Sequence, residues 1–211
     1  MQTISYYKSL AAGALSGKWG KSAIATLLVY IIFGAVGCLG GDTSSSRGLF
    51  NLVIIMLLPV TYGFATYILD SYRGGEPSYG VLFQGFREGS RGYFRYLGTM
   101  LLLYVYEFLW TLLLIVPGII KSYSYSMTLF VMRDHPQLDY NAAIEESMRL
   151  MQGHKMQLFL LDLSMAGWLL LSLLSLGIGF LFLVPYNCTA HAAFYEDLKA
   201  QAALSPEGVE V

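Results

Sequence analysis

The sequence predicts an all-α fold: a polytopic membrane bundle of six transmembrane helices, arranged as three hairpins that each contain proline or glycine. Three observations carry that prediction. Of 211 residues, 55% are hydrophobic and only 13% are charged, against about 25% charged in an ordinary soluble domain. The uncharged runs reach the length of a bilayer crossing, about 20 residues. The lysines and arginines, finally, fall almost wholly on one side of a six-span topology, as the positive-inside rule requires. A net charge of −1 argues against an electrostatic nucleic-acid binder.

Helix 1 takes the 20 uncharged residues between Lys21 and Asp42, at about 22–40. Helix 2 takes the 22 between Arg47 and Asp70, at about 48–69, after a polar turn. Within helix 1, Ala35–Cys38 followed by a polar stretch resembles a lipoprotein cleavage site. The apolar stretch before it is long for a signal peptide and further membrane-length runs follow, so the expectation is an uncleaved first span. From Tyr96 to Ile120 run 25 residues whose one charge is Glu107, and Ser122–Met132 adds 11 uncharged residues. Pro117 and Gly118 divide this stretch into helix 3 (about 96–116) and helix 4 (about 118–132). The last run, Met156–Tyr195, has 40 residues, twice what one crossing needs. A turn at Leu176–Gly179 divides it into helix 5 (about 156–175) and helix 6 (about 179–195), giving one membrane domain over 1–198 and a polar tail over 199–211.

With the N-terminus in the cytoplasm, six spans place eleven Lys and Arg residues inside and only Arg47 and Lys121 outside. A four-span alternative, with Pro117 and Gly177 as mere kinks, puts Lys121, Arg133, Arg149 and Lys155 outside. The expectation is therefore a multi-pass cell-membrane protein with both termini cytoplasmic. The hairpins also look repeated. Their second helices carry Pro59, Pro117 and Pro185 and end at the acidic residues Asp70, Asp134 and Glu196–Asp197. Ahead of the second and third hairpins, Tyr79, Leu82, Phe83 and Phe86, and then Tyr140, Ile144, Met148 and Met151, recur at helical spacing among polar residues. Two short amphipathic helices follow, lying along the membrane or packed on the bundle.

Chemistry-bearing motifs are scarce. No phosphate loop, dinucleotide fingerprint, zinc-protease motif or nucleophile elbow occurs, and Cys38 and Cys188 lack metal-site or disulfide spacing. The expectation is no catalytic, metal or cofactor-binding residue. Glu107 is the sharpest intramembrane residue, about 15 Å from the Pro117 turn if the helix is regular, at a depth where a carboxylate costs at least about 2.5–3.5 kcal/mol. Ser124, Tyr125 and Thr128 of helix 4 share that depth, so Glu107 is either a proton or cation site or a neutral carboxyl hydrogen-bonded within the bundle. Asp162 and His191 lie 15 and 14 residues either side of Gly177, which gives them equal depth near the inner surface. They are a proton-relay or cation candidate, or a polar pair tying helices 5 and 6.

Several stretches taken together carry a resemblance: Gly17–Trp19, Leu114–Lys121 with the Tyr-Ser repeat after it, Glu145–Ser147 through Met151, Gly153, Lys155 and Phe159, Gly167–Trp168, Leu176–Gly179, Pro185–Tyr186 and Phe194–Leu198. Over about Gly17 to Leu198 they resemble the bacterial domain-of-unknown-function family 975, integral membrane proteins found largely in Gram-positive bacteria. The hairpin layout is also similar to the membrane domain attached to some glycerophosphodiester phosphodiesterases, whose catalytic domain these residues do not include. The resemblance implies a class and no mechanism. The expected function is a non-enzymatic scaffold or accessory protein of the cell envelope that binds membrane lipids or partner membrane proteins; the alternative is a small transporter or channel using Glu107 and the polar helix 4.

Overall fold

A computed structural model describes residues 2–38, 44–113 and 115–204, and every regular element in it is a helix. The turn expected between helices 1 and 2 lies partly outside the described residues, as do the Cys38 side chain and the tail beyond 204. In chain order the elements are α1 (Ile4–Leu15), α2 (Trp19–Cys38), α3 (Ser44–Leu57), α4 (Pro59–Tyr72), a 3₁₀ turn (Tyr79–Phe83) and α5 (Gln84–Arg87). There follow α6 (Gly89–Leu113), α7 (Ile115–Tyr125), α8 (Thr128–Asp134), α9 (Tyr140–Leu150), α10 (Lys155–Leu163), α11 (Ala166–Leu174) and α12 (Phe180–Leu204).

Among the described residues three segments, not six, are helical, long and apolar enough to cross a membrane: Trp19–Gly37, Phe50–Tyr72 and Lys155–Leu174. The physical reasons are local. The α6 helix carries Arg91, Arg95, four tyrosines and Glu107. Predicted helix 4 is divided into α7 and α8, of 11 and 7 residues. The α12 helix runs on past Asn187, Thr189 and His191 into the charged residues Glu196, Asp197 and Lys199.

The breaks follow from backbone chemistry. Pro59 brings no N–H and opens α4 at its first position, where a missing donor costs least. Pro185, by contrast, sits buried inside an unbroken α12. The α11–α12 turn has the hydrogen-bond pattern of a Schellman cap, with the Gly177 N–H donating to the Ser172 carbonyl at 3.1 Å. Its left-handed position falls on Leu176 (φ 53°), a conformation usually left to glycine, and Gly177 follows at φ 88°.

An unforeseen element, α1, precedes the first expected span. Tyr7, Ala11 and Leu15 recur every fourth residue, and all three are buried, with α1 packed along α12 and touching α4 and α10. The two amphipathic segments pack on the bundle. Leu82 of the 3₁₀ turn is buried against α4, and Ala143, Ile144, Ser147 and Leu150 of α9 are buried against α6, α7 and α8. Tyr79, Phe83, Phe86 and Tyr140 stay exposed. The 3₁₀ turn approaches so closely that a Cβ on Gly63 would lie 2.1 Å from the Leu82 carbonyl oxygen.

The core centres on α4 and α12. Tyr62, Tyr67, Ile68 and Leu69 of the first meet Phe194, Tyr195 and the small residues Ala190, Ala192 and Ala193 of the second, which let neighbouring backbones come near. Beyond it the chain exposes many large apolar residues. Where α6 gives way to α7, Leu112 and Val116 are bare; around the α11–α12 turn, Leu174 is 81% exposed and Leu176 95%.

Candidate functional site

The acidic ends of the second helices converge. Asp70 at the end of α4 accepts both contacts from Arg133 Nη2 of α8, each at 3.2 Å. Arg73, just past α4, forks onto Asp134 at the end of α8, with Nη1 and Nη2 at 2.8 and 2.7 Å. The same guanidinium donates from Nε and Nη2 to Glu196 Oε1 of α12 at 2.8 and 2.6 Å. Lys199 Nζ and the Tyr195 hydroxyl then reach Asp134 Oδ2 at 2.5 and 3.1 Å. Three cations and three carboxylates thus bind three helices into one neutral knot. The α1 helix is tied beside it, the Tyr7 hydroxyl donating to Asp197 Oδ2 at 2.5 Å. Lys18 extends the tie to the turn after α4 through the Ser71 and Gly75 carbonyls.

Burial alone would push the Asp134 carboxyl up. The hydrogen bonds and charges of Arg73 and Lys199 outweigh burial and hold it well below the usual carboxylate range. The Asp134 hydrogen bond is also the main reason the Arg73 guanidinium is pushed above its ordinary value. Asp134 carries hydrogen bonds on both oxygens, so the knot joins helices and leaves that carboxylate little capacity for a substrate. The sequence marked the acids as helix boundaries and missed their cross-pairing. The available signal was a cation three residues after Asp70 and Glu196, and one immediately before Asp134.

Asp162 and His191 are brought together. His191 Nε2 of α12 lies 2.7 Å from Asp162 Oδ1 of α10, with side chains 21% and 25% exposed. The Tyr123 hydroxyl faces the same carboxylate. Geometrically this is a tie between two helices, reached by solvent on one side.

The Glu107 group is not assembled. Glu107 is exposed on the outer face of α6, among the exposed Tyr104, Val105, Phe108 and Leu109, and makes no hydrogen bond or ion pair among the described residues. Ser124 and Thr128 are buried, but the Ser124 hydroxyl donates to the Ile120 carbonyl of its own helix at 3.0 Å, and the Thr128 hydroxyl donates across the α7–α8 break to the Tyr125 carbonyl at 2.7 Å. Tyr125 meets Tyr106 ring to ring at 6.2 Å. Hydroxyls that bond back onto a helix let a polar sequence pack without lining a channel. The partner that sequence reasoning missed is Ser147 of α9. At the α7–α8 break its hydroxyl accepts from the Met127 N–H at 3.2 Å and donates to the Ser124 carbonyl at 2.9 Å.

Among the described residues no three His, Cys, Asp or Glu side chains gather as a metal site requires. No curated protein and no solved structure matches the chain. Residues 111–202, from the end of α6 through most of α12, match the model of the family described as a protein of unknown function (DUF975).

Proposed function

We propose that this chain is a multi-pass protein of a bacterial cell membrane that works by binding membrane lipids or partner membrane proteins, as a scaffold or accessory of the cell envelope, and not by catalysis. The observation that carries the reading is the girdle of exposed leucine, isoleucine, valine and phenylalanine on α2, α3, α6, α7, α11 and α12. Apolar patches on that scale are rare on soluble monomers. The proposed topology keeps six crossings as three hairpins with both ends cytoplasmic. It is supported by contacts of α2 with α3, α6 with α7 and α11 with α12, and by the eleven-to-two distribution of Lys and Arg. The α6 and α12 helices fall short in apolarity through their tyrosines and polar ends, yet α6 exposes Leu101, Val105, Phe108 and Leu109, and α12 exposes Phe182. The alternative, a small transporter or channel, would use Glu107, which is exposed on α6.

Topology mapping tests the reading. A cysteine placed at Gln137, in the exposed loop between α8 and α9, should react with a membrane-impermeant maleimide in inverted vesicles and not in intact cells. Reaction from outside overturns the topology. Extraction of the protein by alkaline carbonate overturns membrane integration itself.

A further inference from the structure

A cavity of about 710 Å³ opens between α1, the start of α2 and the α11–α12 turn, within the range of ligand sites. Its walls include the apolar Trp168, Leu171, Ile178, Phe182 and Leu183, and Lys8, Trp19 and Tyr186 line it as well. Four of these wall residues, Trp168, Leu171, Ile178 and Phe182, are themselves exposed, so the cavity opens sideways onto the face read as lipid-facing.

The polar groups of the cavity divide into satisfied and spare. Ser172 and Ser175 donate to the Trp168 and Ser172 carbonyls, and the Tyr186 hydroxyl donates to the Lys8 carbonyl at 3.2 Å. Lys8 Nζ has one acceptor, the Ser164 carbonyl at 3.1 Å, and no carboxylate partner among the described residues. An ammonium has three donors, so two remain. The Trp19 indole, stacked on Tyr186 with ring centroids 6.0 Å apart, likewise has no acceptor for its N–H among the described residues. An apolar trough ending in an uncompensated cation and a second donor is complementary to an acyl chain ending in an anionic headgroup.

We propose that this cavity holds one acyl chain of an anionic phospholipid drawn from the bilayer, with the lipid phosphate on Lys8 Nζ and the Trp19 indole N–H. The assignment rests on the membrane reading above and adds a position, a stoichiometry of one and a charge preference. The sequence does not signal it, because Lys8 lies in a helix that pattern reading left unassigned, far along the chain from the apolar wall.

Native mass spectrometry of the full chain, released from nanodiscs of equal phosphatidylglycerol and phosphatidylcholine, tests it. The expected result is one retained phosphatidylglycerol per chain. Lys8→Gln should weaken that retention about tenfold, the scale of one charge-assisted hydrogen bond, and leave retained phosphatidylcholine unchanged; Lys8→Arg should restore it. Leu183→Trp, which fills the trough, should abolish it in a chain that unfolds at the wild-type temperature. Equal retention of both lipids, or an unchanged Lys8→Gln, overturns the proposal, as does a dimer that excludes lipid from the trough. A chain that stays in the membrane through carbonate while retaining no lipid sinks this inference alone. A chain that carbonate removes sinks the membrane reading with it.

Discussion

The two ends of the bundle are stabilised by opposite means. Where α4, α8 and α12 finish, charged groups pair across helices: Arg73, Arg133 and Lys199 meet Asp70, Asp134 and Glu196, and the buried aromatic core lies beside them. Where α6 passes into α7 and α11 into α12, no ion pair occurs among the described residues and the side chains turn outward, Leu174 and Leu176 almost wholly bare. Exposing apolar surface to water costs roughly 25 cal/mol per Å², a cost that the proposed membrane setting would remove. At the first end the fold is specified by contacts that only particular residues make. At the second it is specified by what surrounds it, and side-chain identity matters less than character.

Substitutions should separate the two ends sharply. Gly63→Ala has the largest expected effect, because its Cβ would meet the rigid backbone of Leu82 at 2.1 Å; a loss of about 3 kcal/mol is expected in thermal unfolding in detergent. Asp134→Asn should cost about 2 kcal/mol, discounted because Arg73 and Lys199 are half-exposed. The same variant carries a pH signature. The Asp134 carboxyl is held below its unfolded value, near 3.9. Its contribution is therefore complete above that value and is lost as pH falls through the folded one. Acid titration of stability should show this loss in the wild type and a flatter curve in Asp134→Asn.

Ser147→Ala strands the Met127 N–H at the α7–α8 break, and about 1–2 kcal/mol should go with it. At the apolar end the expected sign reverses. Leu176→Gly relieves a left-handed backbone on a residue that packs on almost nothing, so a gain of about 0.5–1 kcal/mol is expected. A loss there would mean that Leu176 makes a contact the isolated chain does not contain.

The same contrast governs what the sequence disclosed. Composition and uncharged runs reveal solvent character, so the all-helical fold and the α11–α12 turn at Gly177 were legible. The equal spacing of Asp162 and His191 about that turn pointed to two groups that lie 2.7 Å apart. For Glu107 spacing fixes height and not direction. Its neighbours Val105, Phe108 and Leu109 show that this face of α6 points outward. The knot was hidden because its pairs join residues about 60 to 120 positions apart. The α1 helix was hidden because Tyr7, Ala11 and Leu15 form only a short apolar stripe, completed by α12. Ser147 looked like one more polar residue on an amphipathic helix, and its role exists only once α9 meets the broken helix.

The most direct test of the central claim is a nitroxide at Leu170, in the third apolar segment and exposed in the isolated chain, with a second nitroxide at Gln137 as reference, both in reconstituted bilayers. The account predicts that the Leu170 probe is relaxed by molecular oxygen and shielded from a water-soluble nickel chelate, while the Gln137 probe shows the reverse. Strong relaxation of the Leu170 probe by the nickel chelate would contradict it.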